Sequence, residues 1–258
     1  LRGLKPATKY YFVIKDSRDV SRRLFFRTLP ADGRTPLSIL AGGDSRSNDA
    51  QRRITNQLVK LIRPDLVLFG GDFTPYGFSG QWKNWFDDWQ LTIGDDGLLV
   101  PLLVARGNHE FSNEMMQKLW AVPNPDIYYA VNLNKDLARA YSLNTEMAIP
   151  GAQTEWLQKD LERNAKAMNW RIVQYHKPMR PHVSKKDEGA MQYRFWAPLF
   201  EKHKVDLVVE CDAHVVKTTW PIVRSDHTDA EDGFIRNDRR GVVYTGEGTW
   251  SVTRDDDD

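Results

Sequence analysis

The chain has 258 residues, enough for one large domain or a main domain with a small appendage. Hydrophobic residues make up 41% and aromatic residues 11%, so a sizeable core can form and wholesale disorder is excluded. With 36 basic and 35 acidic residues the formal net charge is +1, which supplies no general field for nucleic acid or a membrane surface. The single cysteine, Cys211, excludes an intrachain disulfide and leaves the compartment open.

The first elements read as a β-hairpin over residues 4–29, where "KYYFVIKD" and "SRRLFFRTL" flank a polar "SRDV". "PADGRTP" at 30–36 is a linker by composition. Strand "LSILAG" then leads to a helix capped by Asn48, on which Ile54, Leu58, Leu61 and Ile62 share an apolar face. Strand "DLVLFGG" precedes a helix with Trp82, Trp85, Phe86 and Trp89 on a stripe expected to face the core. "GLLVPLLVA" at 97–105 is the longest apolar run; it is too short to span a bilayer and contains a proline. Strand "PLLVARG" and a helix around 112–120 follow. Strand pairs lie near 127–143, with a helix at 152–166 and strand "WRIVQYH". A helix over 191–203 precedes strand "VDLVVE", and the last strands lie near 218–224 and 241–245. Strand–helix alternation with antiparallel additions predicts an α/β domain. The terminal "DDDD" reads as solvated. The chain begins without Met and in mid-pattern and shows no signal peptide, so residues preceding Leu1 are expected in the natural protein.

Five apolar runs end in side chains able to hold metal or phosphate. "LAGGDSR" carries Asp44 and Arg46, and "LFGGDFTPY" carries Asp72 and Tyr76. "VARGNHE" carries Asn108, His109 and Glu110, "IVQYHKP" carries His176, and "VVECDAH" carries Asp212 and His214. Ligands of open α/β sheets bind outside the carboxyl ends of the strands, so these loops can meet at one rim. Oxygen and imidazole donors without thiolate suit iron, zinc or manganese. They outnumber what one tetrahedral zinc needs, so two ions about 3.5–4 Å apart, clamping a phosphoryl transfer, are the economical reading.

In this order, "GDSR", "GGDFTPY", "GNHE", "YHKP" and "CDAH" resemble the calcineurin-like metallophosphoesterases, whose series is D-x-[HGR], GD near a Tyr, GNH[DE], a lone strand-ending His and GHxH. The resemblance covers about residues 37–250 of the chain. Tyr76 soon after "GGD" and "GEGTWS" near the end resemble the purple acid phosphatases. "LRGLKPATKYYFVI" and "FRTLP" are similar to the last two strands of a fibronectin type III-like domain.

The resemblance implies a four-layer αββα sandwich over 37–254, preceded by the end of a β-sandwich over 1–29. It implies Asp44, Asp72 and His214 on one metal, with Tyr76 a further donor or a rim residue, and Asp72 bridging to a second metal held by Asn108 and His176. Asp212 stands where the family has the first His of GHxH. It is either a carboxylate ligand there or an acid beside the site. Arg46 would grip phosphate oxygens, and His109 or His182 would donate the leaving-group proton. Cys211 reads as a small buried filler.

The function implied is binuclear hydrolysis of a phosphate ester by in-line attack of metal-activated hydroxide, a monoester in preference to a diester. A phosphodiesterase or nucleotidase, or a non-catalytic phosphate- or partner-binding module on a degenerate scaffold, stays open. The implied metals are Fe, Zn or Mn, and the implied setting is secreted or periplasmic. The expected partner is a small phosphoester, with no nucleic acid and no membrane span; the oligomeric state is left open.

Overall fold

The computed structural model describes residues 1–246 and 248–252; the acidic run at 255–258 and Glu247 lie outside them. The first hairpin pairs β1 (Lys9–Phe12) antiparallel with β2 (Leu24–Arg27), Lys9 opposite Arg27. Two strands alone are marginal. Here Phe25 forms a parallel bridge with Leu98, and the Arg22 guanidinium donates to the carbonyls of Gly94 and Asp95, which fastens the hairpin to the main body.

Three buried or half-buried runs, β3 (Ile39–Gly42), β4 (Leu66–Phe69) and β5 (Leu102–Val104), form a parallel sheet in that order. β6 (Tyr129–Leu133), β7 (Ala138–Ser142), β8 (Trp170–Gln174), β9 (Leu207–Glu210) and β10 (Lys217–Thr218) belong to a second sheet. β11 (Ile222–Arg224) and β12 (Phe234–Arg236) pair with each other, and β13 (Val243–Gly246) returns to the large sheet. Its order is β10-β13-β9-β8-β7-β6, with β7, β8, β9 and β13 parallel.

The sheets pack face to face through Leu66, Leu68, Leu133, Ala138, Ala140 and Val209. Outside the small sheet lie α1 (Asp49–Ile62), α2 (Ser79–Trp89) and α3 (Asn113–Leu119); outside the large one lie α4 (Ala152–Asn164), α5 (Ala190–Phe195) and α6 (Ala197–Lys202). The result is the four-layer αββα arrangement, in which each sheet buries one face on its partner and the other under helices. Among the described residues no helix is long and apolar enough to cross a membrane.

The α2 stripe faces the core as expected: Trp82, Trp85 and Trp89 are buried against Phe69, Phe73 and Trp250, with the Trp85 and Trp89 rings stacked at 4.8 Å. Two expectations change. Asn48 caps α1 by accepting from the Gln51 amide, but the Ile54, Leu58, Leu61 and Ile62 face is exposed and the helix docks through Arg52, Asn56 and Val59. The reason is a buried polar network. Arg52 donates to Asp88 and to the Ser45 carbonyl, and Asn56 bridges the Asp88 carbonyl and the Trp250 indole. The helix expected over 191–203 is two short ones, because Pro198 at the start of α6 has no N–H to continue the ladder.

Candidate metal centre

β3, β4, β5, β8 and β9 all end at one rim, and the loops that follow are tied to one another through their backbones. The Asp44 amide donates to the Gly71 carbonyl at 3.0 Å, Ser45 to Asp72 at 3.0 Å and Cys211 to His176 at 2.9 Å. Asp44, Asp72, Asp212 and His214 all adopt left-handed backbone, with φ of 58°, 56°, 67° and 63°. Such residues cost of order 1–3 kcal/mol each and gather at functional sites. Glycine makes the approach possible. A Cβ on Gly70 would lie 2.2 Å from the buried Cys211 Sγ, and one on Gly248 would lie 1.7 Å from Asp44 Oδ2.

His176 is fully buried, and its Nδ1 donates to the Gly70 carbonyl at 2.9 Å. That leaves the Nε2 lone pair facing Asn108 Oδ1 at 3.0 Å, Asp72 Oδ1 at 3.3 Å and Asp212 Oδ1 at 3.5 Å. One nitrogen and three oxygens converge on one point, a donor set that a cation can occupy in place of a proton on Nε2. Asp72, His176 and Asp212 offer ligand atoms within 4.8 Å of one another, and with Asn108 they make a hard N/O set that fits a divalent ion. Burial opposes charge on His176, but Asp72 and Asp44 outweigh it and raise its pKa well above the ordinary imidazole value, so the Nε2 lone pair becomes available to a cation only as its proton is displaced. Burial likewise works against an ionised Asp72, yet His176 and His109 hold its carboxyl down at about 2.

The remaining donors lie to one side. His214 Nε2 is 3.1 Å from Asp44 Oδ1, whose other oxygen accepts from the Asp212 amide at 2.9 Å. Arg46 reaches between them: its Nε lies 3.2 Å from Asp72 Oδ2 and its Nη2 3.4 Å from His214 Nε2. His109 is half-buried, with Nδ1 at 2.5 Å from the Pro75 carbonyl and Nε2 at 3.8 Å from Asp72 Oδ2. The Tyr76 ring is exposed and pairs with Phe78, while its amide donates to Gln81. His182 lies on the wall of a neighbouring cavity of about 330 Å³ with Arg180, Trp220 and Phe234.

Three further residues line the site: Glu110, named as metal- or phosphate-capable; Cys211, read as a buried filler; and Lys186, to which the sequence pointed only weakly. Glu110 is buried and accepts from the amides of Gly107, Asp72 and Phe73, bracing the β4 loop against the β5 loop. Burial, reinforced by Asp72, pushes its carboxyl up to about 7. Lys186 brings its Nζ to 2.7 Å from Asp212 Oδ1, and the basic pair in "HVSKKDEG" after a ligand strand was the available signal. Cys211 belongs to a second group with Asp44 and His176; burial pushes its thiol up to about 12, and its Sγ packs against Gly43 and Gly70.

Comparison with known proteins gives a consistent picture. Two uncharacterised proteins of Mycobacterium tuberculosis, from strains CDC 1551 / Oshkosh and H37Rv, are each 23% identical over 96% of this chain and 55% of their own length. The chain thus spans about half the length of these curated relatives. The purple acid phosphatase of yellow lupin seeds superposes with a TM-score of 0.78 at 18% identity, over 97% of this chain and 51% of that one. The GAP50 anchor of the Plasmodium inner membrane complex gives 0.62 at 16% identity, over 84% and 73%. A dimetal phosphatase of Danio rerio gives 0.59 at 11%, over 84% and 88%. At these identities the structures share the fold. The model of the calcineurin-like phosphoesterase family matches residues 41–216, well over half of the sequence and all five loops but the end of the chain, and the chain belongs to that family.

Proposed function

We propose that this chain is a metal-dependent phosphoesterase that hydrolyses a small phosphate ester, a monoester in preference to a diester. The observation that carries the reading is the convergence of His176 Nε2 with the oxygens of Asp72, Asn108 and Asp212 on one point. A divalent ion held there supplies Lewis-acid polarisation of a phosphoryl oxygen and lowers the pKa of water.

The chain's own groups do the rest. Arg46 presents guanidinium N–H groups at the rim, suited to the equatorial oxygens of a phosphoryl group in line with the attacking oxygen. Lys186, beside Asp212, adds a second cation for the dianionic phosphate. His109, held through Nδ1 by the Pro75 carbonyl, turns Nε2 toward the site and is placed to give the leaving oxygen its proton. The monoester preference rests on the likeness to the purple acid phosphatase of lupin.

The test pairs elemental analysis with hydrolysis of p-nitrophenyl phosphate and its bis-ester. Asp72→Ala should lose metal and turnover together; full turnover in the metal-loaded variant would overturn the assignment. One observation favours a second reading, a non-catalytic phosphate- or partner-binding module: the Lys186 ammonium already sits on Asp212 at 2.7 Å. Bound metal with hydrolysis of neither ester supports that module.

A further inference from the structure

We infer that this centre takes one metal ion rather than two, the Arg46 guanidinium standing where the second would lie. The inference rests on the metal-dependent reading of the site. It concerns only how many ions that site holds.

Asp72 faces two ways. Its Oδ1 lies 3.3 Å from His176 Nε2, on the side of the gathered donors, and its Oδ2 turns to Arg46 Nε at 3.2 Å. That contact is not aligned as a hydrogen bond, so both atoms are buried without a hydrogen-bonding partner and meet as charges. A second ion would need Asp72 Oδ2, His214 Nε2 and Asp44 Oδ1. Arg46 approaches the first two, with its Nη2 3.4 Å from His214 Nε2, and the third lies 3.1 Å from that same nitrogen.

A guanidinium keeps its charge at any working pH and has no lone pair to give a metal. An ion bound at about 2.0–2.2 Å from the same oxygen and nitrogen would press against a fixed like charge. The donor geometry agrees. Among the described residues Asp72, His176 and Asp212 gather within 4.8 Å; Asp44 gathers only with Cys211 and the same His176, so that group is no independent second site, and Asp44, Asp72 and His214 form no such group. One metal charge and one guanidinium charge then flank the Asp72 carboxylate, each neutralising one of its oxygens.

The experiment loads the purified chain with excess Mn(II), removes free ion by gel filtration, and reads metal per chain together with the EPR spectrum. Wild type should retain one ion with the spectrum of an isolated Mn(II). Arg46→His, which removes the fixed charge and adds a donor, should retain two with an exchange-coupled spectrum. Asp44→Asn should keep the single ion, and His176→Ala should lose it, which carries the test should Arg46→His not fold. Two ions in wild type, one ion in a folded Arg46→His, or loss of the ion in Asp44→Asn each overturns the inference while leaving the phosphoesterase reading standing. No bound ion in wild type overturns both.

Discussion

Lys217 and Glu210 form a fully buried ion pair, with side-chain exposures of 2% and 0% and an Nζ–Oε2 distance of 2.6 Å. Lys217 also donates to the Arg180 carbonyl at 2.7 Å. Glu210 Oε1 accepts from the Tyr175 hydroxyl at 2.6 Å and the Met179 amide at 2.8 Å, so the pair ties β9 to the loop carrying His176. Lys217→Met keeps the bulk of the stem and strands a carboxylate in the core. Breaking a buried pair from one side costs about 3–5 kcal/mol. At roughly 2–4 °C per kcal/mol for a domain of this size, the midpoint should fall by roughly 6–20 °C. Removing both charges, in Lys217→Met with Glu210→Gln, should recover most of the loss, because the desolvation cost disappears with the attraction. The assays are thermal unfolding, which reads the midpoint, and urea unfolding, which reads the free energy, both followed by tryptophan fluorescence on metal-free protein so that metal binding adds nothing to stability. A Lys217→Met chain within about 0.5 kcal/mol of wild type, the scale of an ordinary surface change, would refute the reasoning.

Burial pushes the Cys211 thiol up to about 12, so at pH 8 a disulfide reagent should leave the folded chain unlabelled and modify it fully in urea; rapid labelling of native protein contradicts this. Gly248→Ala forces a side chain onto backbone at φ +70° and a Cβ to 1.7 Å from Asp44 Oδ2. It should destabilise by more than about 1 kcal/mol and disturb Asp44, and an unchanged melting curve would count against that packing. Burial opposes ionisation of Asp160, but two hydrogen bonds from the Arg139 guanidinium outweigh it and hold the carboxyl below its ordinary 3.8. With the folded value depressed, this contribution is complete above the ordinary pKa and is lost as pH falls through the lower folded value. Asp160→Asn should flatten the acid limb of the stability profile, and an identical limb in both proteins would show that the pair contributes nothing.

Local pattern was enough to reveal the alternation of strands and helices, the Trp82, Trp85 and Trp89 stripe, and five strand ends rich in acids, imidazoles and glycine. Apolar periodicity and turn chemistry act over a few residues and are readable in one dimension. α1 marks where that fails. Its apolar face is the one in solvent, because Arg52 and Asn56 find buried partners in Asp88 and Trp250, contacts some 30 to 190 positions away along the chain.

The same limit applies at the candidate metal centre. Asp44, Asp72, Asn108, His176, Asp212 and His214 were legible as candidate donors, yet which atoms converge was decided by the packing of the two sheets. That packing sets His176 Nε2 among Asp72, Asn108 and Asp212, lays Arg46 against Asp72 and His214, and brings Lys186 onto Asp212. By itself the sequence determined the donor chemistry and the strand ends that carry it. Only the tertiary structure decided the distances between groups remote in sequence, and so where cations can sit, because charge interactions depend on separation and burial and neither is written in the order of residues.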